Sequence, residues 1–85
     1  MENIKILKKK IIYRSKHRGT KEMDLLLGHF VIKYIDTFDY NELSELDNLL
    51  NEDDEIIYNW YFNLSNKIKF PVNRVTEKFK KFKVN

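Results

Sequence analysis

The side chains best equipped for chemistry in this sequence are few, and they do not cluster. His17 and His29 stand twelve residues apart. Neither has histidine or carboxylate companions at the spacing that a helical metal-binding motif needs. Cysteine is absent, which removes thiolate nucleophiles, thiolate zinc sites and disulfides together. Only two glycines occur, Gly19 and Gly28, too few for a glycine-rich phosphate loop. No serine lies in a GxSxG elbow. Acids do run together from Glu52 to Glu55. Consecutive carboxylates ahead of an apolar run more often complement a helix N-terminus than perform acid–base catalysis. No catalytic, metal-binding or cofactor-binding residue is therefore assigned, and the chain is expected not to be an enzyme.

One stretch carries a different chemistry. Arg18, Gly19 and Glu22 form the pattern RGxxE, with Asp24 two residues on. A glycine has no side chain to keep a partner backbone away, Arg18 offers a planar bidentate donor, and Glu22 offers an acceptor. Together they suit a small polar recognition patch. Purely structural duties fit the same residues. Gly19 can take a left-handed or tight turn, and Glu22 and Asp24 are first-turn carboxylates.

The elements that position this stretch follow from periodicity. Ile4, Leu7 and Ile11 share a face and predict a helix from about Ile4 to Ser15. Lys16 to Gly19 read as a turn. Met23, Leu26, Leu27, Phe30 and Tyr34 recur at helical spacing and predict a second helix from about Lys21 to Ile35. Gly28 weakens that helix by about 1 kcal/mol relative to Ala, and could admit a close helix neighbour. Asp39 and Glu42 stand in capping-box spacing before a third helix, about Tyr40 to Leu50. Asn51 is the expected N-cap of a fourth, about Asp53 to Leu64, with Ile56, Ile57, Trp60 and Leu64 on its stripe. Pro71 makes helix improbable at the residue before it. A fifth helix, about Asn73 to Lys83, places Val72, Val75, Phe79 and Phe82 together. The expected fold is all-α: a compact five-helix bundle forming one domain over residues 1–85.

Charge is patterned along the chain. The 85 residues carry a formal charge of +3, with 42% hydrophobic and 34% charged residues. Residues 1–21 contain six Lys, two Arg and one Glu, and residues 22–55 contain eleven acids and one base. Residues 56–85 return to six Lys, one Arg and one Glu. The basic blocks raise the alternative of a small nucleic-acid-binding protein, since phosphate contact needs clustered Lys and Arg. The acidic centre and the scarcity of Arg, three in all, argue against it, and no nucleic-acid partner is expected. No run of about 18 apolar residues occurs, so no membrane span is expected. Residues 1–18 are basic and amphipathic, as presequences are. They hold mostly Lys and one Ser and run straight into RGxxE, so they are expected to be an integral first helix.

RGxxE and its continuation through Glu22-Met23-Asp24-Leu25-Leu26-Leu27-Gly28-His29-Phe30 resemble the succinate dehydrogenase assembly factors, the FAD assembly or flavinylation factors of bacteria and mitochondria. The likeness resumes at Leu46 to Leu50 and from Asp54 to Tyr58-Asn59-Trp60, an acidic turn followed by an aromatic and a Trp two apart. One departure is Ile56, which stands where the family often has a second acid. The resemblance implies a small helical chaperone that binds the flavoprotein subunit of succinate dehydrogenase or fumarate reductase. It would promote covalent attachment of FAD to a histidine of that subunit, holding no firmly bound cofactor itself. By the same resemblance, Arg18, Gly19, Glu22, Asp24, Tyr58 and Trp60 are the expected partner-binding residues. The chain is expected to be a monomer. The expected setting is the bacterial cytoplasm, or the mitochondrial matrix for a eukaryotic source.

Overall fold

Four of the five described helices begin where a short polar side chain holds a free backbone N–H group. In the computed structural model, which describes residues 3–84, Asn3 caps α1 (Ile4–Lys16) by accepting from the Lys5 N–H at 2.8 Å. Thr20 caps α2 (Lys21–Tyr34) by accepting from Met23. Asp39 and Glu42 form the expected capping box of α3 (Tyr40–Leu50), with bonds of 2.8 and 3.1 Å. Asp53 precedes α4 (Asp54–Tyr61) without a side-chain bond. Asn73 and Thr76 cap α5 (Arg74–Lys81) reciprocally. A single 3-10 turn, Ile35–Thr37, follows α2. The described residues contain five α-helices and no strand, so the expected all-α bundle is what forms.

The bundle is arranged around α2 and α3. α1 lies across both, and α5 packs on α3. Leu7, Ile11 and Ser15 are the buried face of α1, while Ile4 sits at its edge, 45% exposed. Ser15 is fully buried and returns its hydroxyl to the Ile12 carbonyl at 2.8 Å. Gly28 of α2 lies opposite. A Cβ there would stand 3.7 Å from Lys16 Cγ and 3.8 Å from the Ser15 carbonyl. Two small residues thus let α1 and α2 approach at this crossing. Phe30 occupies the centre of the core, with ring centroids of Phe79 at 5.1 Å, Phe82 at 5.4 Å and Tyr34 at 5.2 Å. Such tilted and edge contacts suit the aromatic quadrupole.

The structure departs from expectation at the ends of α4 and α5. Asn51 is not the N-cap of α4. It closes α3, and its side-chain oxygen accepts from the Arg14 guanidinium, whose other arm pairs with Asp47. α4 stops at Tyr61, short of Leu64, because Asn63 adopts a φ of 57°. The Asn63 N–H then bonds to the Trp60 carbonyl at 3.2 Å and the Leu64 N–H to the Asn59 carbonyl at 2.8 Å. This pair of bonds is a Schellman closure with asparagine in the left-handed position. Leu64 is left 62% exposed. α5 ends at Lys81, and Phe82 turns to extended backbone with its carbonyl accepting from the buried Tyr61 hydroxyl. Val72 lies before α5 and is 82% exposed, not part of its core face.

Candidate functional site

The RGxxE stretch begins where α1 gives way to α2, and its conformation is set by a residue far along the chain. Arg18 Nε donates to Asp54 Oδ1 at 2.7 Å, Nη1 to the Leu50 carbonyl at 2.8 Å, and Nη2 to the Glu52 carbonyl at 2.8 Å. The guanidinium fork therefore satisfies the last carbonyls of α3 and the first acid of α4 at once. Its side chain is only 10% exposed. Asp54 completes the brace by accepting from the Gly19 N–H through Oδ2 at 2.6 Å. Asp24 accepts from the Arg18 backbone N–H. Residues 18–19 are thus tied to both α2 and α4.

This arrangement revises what each residue does. Arg18 presents its donors inward, so its geometry positions the junction and leaves no free fork at the surface. Gly19 does not have positive φ, so of the left-handed or tight conformations expected of it the left-handed one is not adopted. Its lack of a side chain matters for space: a Cβ would come to 3.0 Å from Asp54 Oδ2. The outward-facing members are Gly19, Glu22 and Tyr58. They line one shallow depression with Thr20, Met23 and Glu55. Tyr58 is 38% exposed and rests against Phe62, with ring centroids 4.7 Å apart.

Trp60 does not join them. Two residues along a helix turn the side chain by about 200°, so Tyr58 and Trp60 leave α4 on opposite sides. Trp60 stacks on Phe70 at 4.3 Å, and the Lys80 ammonium lies 4.6 Å from its ring centroid. Lys80 also donates to the Trp60 carbonyl, to the Tyr61 carbonyl at 3.1 Å and to Asn63 Oδ1 at 2.8 Å. A lysine of α5 thereby caps the C-terminal end of α4, where the helix dipole favours a cation. Burial, and secondarily the charge of Lys83, lower its pKa. The Tyr61 pKa is raised by burial.

Three residues of the site had no signal in spacing alone. Asp54 reads as one of four consecutive acids, yet it is the acceptor that fixes both Arg18 and Gly19. Phe62 and the neighbouring Leu25 form exposed apolar surface beside Glu22 and Tyr58. Neither histidine lines the depressions that hold Glu22 and Tyr58. His17 ends α1, bonds through Nδ1 to the Tyr13 carbonyl at 2.7 Å and stacks on that ring. Among the described residues, no group of three or more His, Cys, Asp and Glu is placed to hold a metal ion. No helix among them is long and apolar enough to cross a membrane.

Part of the basic blocks is neutralised or turned inward by the fold. Acidic α3 packs against both α1 and α5. Arg14 pairs with Asp47, Lys8 lies 3.2 Å from Asp36, and Lys80 is turned into α4.

Comparison with known proteins gives this geometry a family. The chain is 46% identical over 59 residues to the mitochondrial succinate dehydrogenase assembly factor 2 of Scheffersomyces stipitis, covering 69% of this chain and 40% of the relative. It is 35% identical over 83 residues to that of Komagataella phaffii, covering 98% and 41%. A Saccharomyces cerevisiae protein of the same name is 49% identical over 51 residues, covering 60% and 32%. The chain thus spans about two fifths or less of the length of these curated relatives. They are mitochondrial proteins of yeasts, which overturns the expectation of a bacterial protein and leaves the bacterial cytoplasm unsupported. A model of the family described as flavinator of succinate dehydrogenase matches residues 9–83, and that family is one of assembly factors, not of enzymes. Because this match takes in the end of α1, the other four helices and the braced junction, the chain belongs to the flavinator of succinate dehydrogenase family.

Proposed function

We propose that this chain acts as an assembly factor that docks on the flavoprotein subunit of succinate dehydrogenase, or of the related fumarate reductase, and promotes covalent attachment of FAD to a histidine of that subunit. The observation that carries the reading is the braced junction. Arg18 and Asp54 hold Gly19 in a fixed position, and the exposed Glu22 lines the same depression with Tyr58. A rigid polar edge next to apolar surface is how specific docking sites are built, because little entropy is lost when they engage. In this reading FAD and the reacting histidine both belong to the partner, and neither His17 nor His29 takes part. The factor contributes binding energy alone. By binding one conformation of the subunit more tightly than others, it raises the population in which histidine and flavin are in register. The relatives' names support a mitochondrial setting, and we place the chain in the matrix, acting as a monomer.

Glu22 gives the cleanest test, since its side chain is exposed and makes no bond that holds the fold. In a host lacking its own factor, Glu22→Ala is expected to remain folded and soluble while covalent flavin on the subunit, read by in-gel fluorescence, falls several-fold. Gly19→Arg is expected to do the same with some loss of thermal stability, because its Cβ meets Asp54. Full flavin fluorescence with both variants would refute the proposal.

A further inference from the structure

Beside the junction lies a second surface that the brace does not require. Leu25, His29 and Ile32 follow one another at i, i+4 and i+7 on the outer side of α2, and Leu25 and Ile32 are 46% and 54% exposed. Residues 82–84 run next to them in an extended path, pinned where the Tyr61 hydroxyl donates to the Phe82 carbonyl. Between α2 and this segment is a groove of about 780 Å³ floored by Leu25, Ile32 and Val84. Its rim carries Lys16, Lys33 and Lys83, and Asp24 is its one carboxylate. All three lysines are exposed, and none has an ion-pair partner among the described residues. Leu25, Lys83 and Val84 continue into the depression that holds Glu22 and Tyr58, so the groove extends the proposed docking site.

We infer that this groove receives an acidic amphipathic segment of a protein partner, with apolar side chains on the Leu25–Ile32–Val84 floor and carboxylates against the three lysines. An apolar floor alone would leave the occupant open; the uncompensated cationic rim selects its sign. Helix α3 of a second copy does not fit, because its acids Glu42, Glu45 and Asp47 share that helix with Leu43, Leu46, Leu49 and Leu50, all of which are buried. A flat bilayer fits poorly too, because Leu25, Ile32 and Val84 line a groove between α2 and residues 82–84. The chemistry of the groove stands by itself; only the identity of the partner rests on the proposed function.

The test has two arms on the full chain. In the first, the 15N-labelled protein is titrated with a synthetic twelve-residue peptide of Leu and Glu at i, i+4 spacing, and with its Leu/Lys counterpart. The Glu peptide is expected to shift the amides of Leu25, His29, Ile32 and Val84. Its affinity is expected to fall about tenfold in the Lys33→Glu/Lys83→Glu variant, whose helicity is checked by circular dichroism. Unmoved groove amides, or equal shifts with the Lys peptide, would overturn the inference. So would shifts that arise on concentrating the protein alone or only with phosphatidylglycerol vesicles. In the second arm, the isolated flavoprotein subunit is captured by wild type, Glu22→Ala and Lys33→Glu/Lys83→Glu. Weaker capture by both variants supports groove and docking site together. Loss with Glu22→Ala but not with the lysine pair removes the groove and leaves the docking reading intact. No capture by wild type counts against the docking reading, while the peptide arm still decides the groove.

Discussion

Breaking the Arg18–Asp54 brace should expose how much of the molecule depends on it. Arg18→Ala removes one charge-assisted bond to Asp54 and two bonds to carbonyls at the α3–α4 junction. Hydrogen bonds to charged groups contribute about 1.5–3 kcal/mol when buried. Here the two side chains are 10% and 20% exposed, so water partly replaces what is lost and about 1 kcal/mol per bond is the better figure. The sum is a loss of about 2–4 kcal/mol, against a total of about 4–12 kcal/mol for a domain of this size. Asp54→Ala also strips the Gly19 N–H of its acceptor and should cost about 2–3 kcal/mol. Arg18 and Asp54 interact directly, so the double variant should lose less than the sum of the singles, with a coupling of about 1–2 kcal/mol. Arg18→Lys should recover under half of the loss, because an ammonium cannot span three acceptors held by a planar fork. Urea unfolding followed at 222 nm measures the wild type and all four variants. A coupling below about 0.5 kcal/mol, or an Arg18→Ala loss under about 1 kcal/mol, would mean that the junction holds its shape without the brace.

Other expectations concern packing and ionisation. Gly28→Ala should stabilise the protein by about 0.5–1 kcal/mol, since a Cβ there meets its neighbours at ordinary contact distance and Gly disfavours helix; a fall in melting temperature would contradict this. Lys80→Met should cost about 1–3 kcal/mol by leaving the Tyr61 carbonyl without its donor and the Trp60 carbonyl with the Asn63 N–H alone, read as a lower urea midpoint; an unchanged midpoint would show that water caps α4 equally well. Tyr61 has a folded pKa raised above the unfolded value of 10.0, so its contribution is complete below pH 10.0 and is lost as pH rises through the folded pKa. The stability difference between wild type and Tyr61→Phe should therefore be constant up to about pH 10 and shrink beyond it, and a difference that grows above pH 10 would reverse the assignment.

Local rules made most of the fold legible. The bounds of α3 and its capping box follow from Asp39, Glu42 and four leucines, all within one short window. The buried stripe of α2 follows from spacing in the same way. What spacing does not convey is where a polar side chain finds a partner across the fold. Arg18 meets Asp54 36 positions away, so its inward geometry could not be read from its neighbours. Trp60 illustrates the reverse case. Its helical phase relative to Tyr58 already placed it on another side of α4, whereas resemblance of motif grouped the two. The early end of α4 depends on Asn63 entering a conformation that asparagine tolerates but does not announce. Phe82 leaves its helix because the Tyr61 hydroxyl waits for its carbonyl, 21 residues from it in the chain.

The brace also ties the junction to the rest of the fold. Residues 18–19 are fixed only where α3 is complete and the first acid of α4 is in place, through contacts of long sequence separation. A nascent or partly unfolded chain has the RGxxE residues but not their arrangement. The Gly19 amide should accordingly exchange with solvent only through opening of the α3–α4 junction, much more slowly than its exposed position suggests. A ligand that recognises this arrangement would bind the finished fold alone and, by mass action, hold the whole bundle closed.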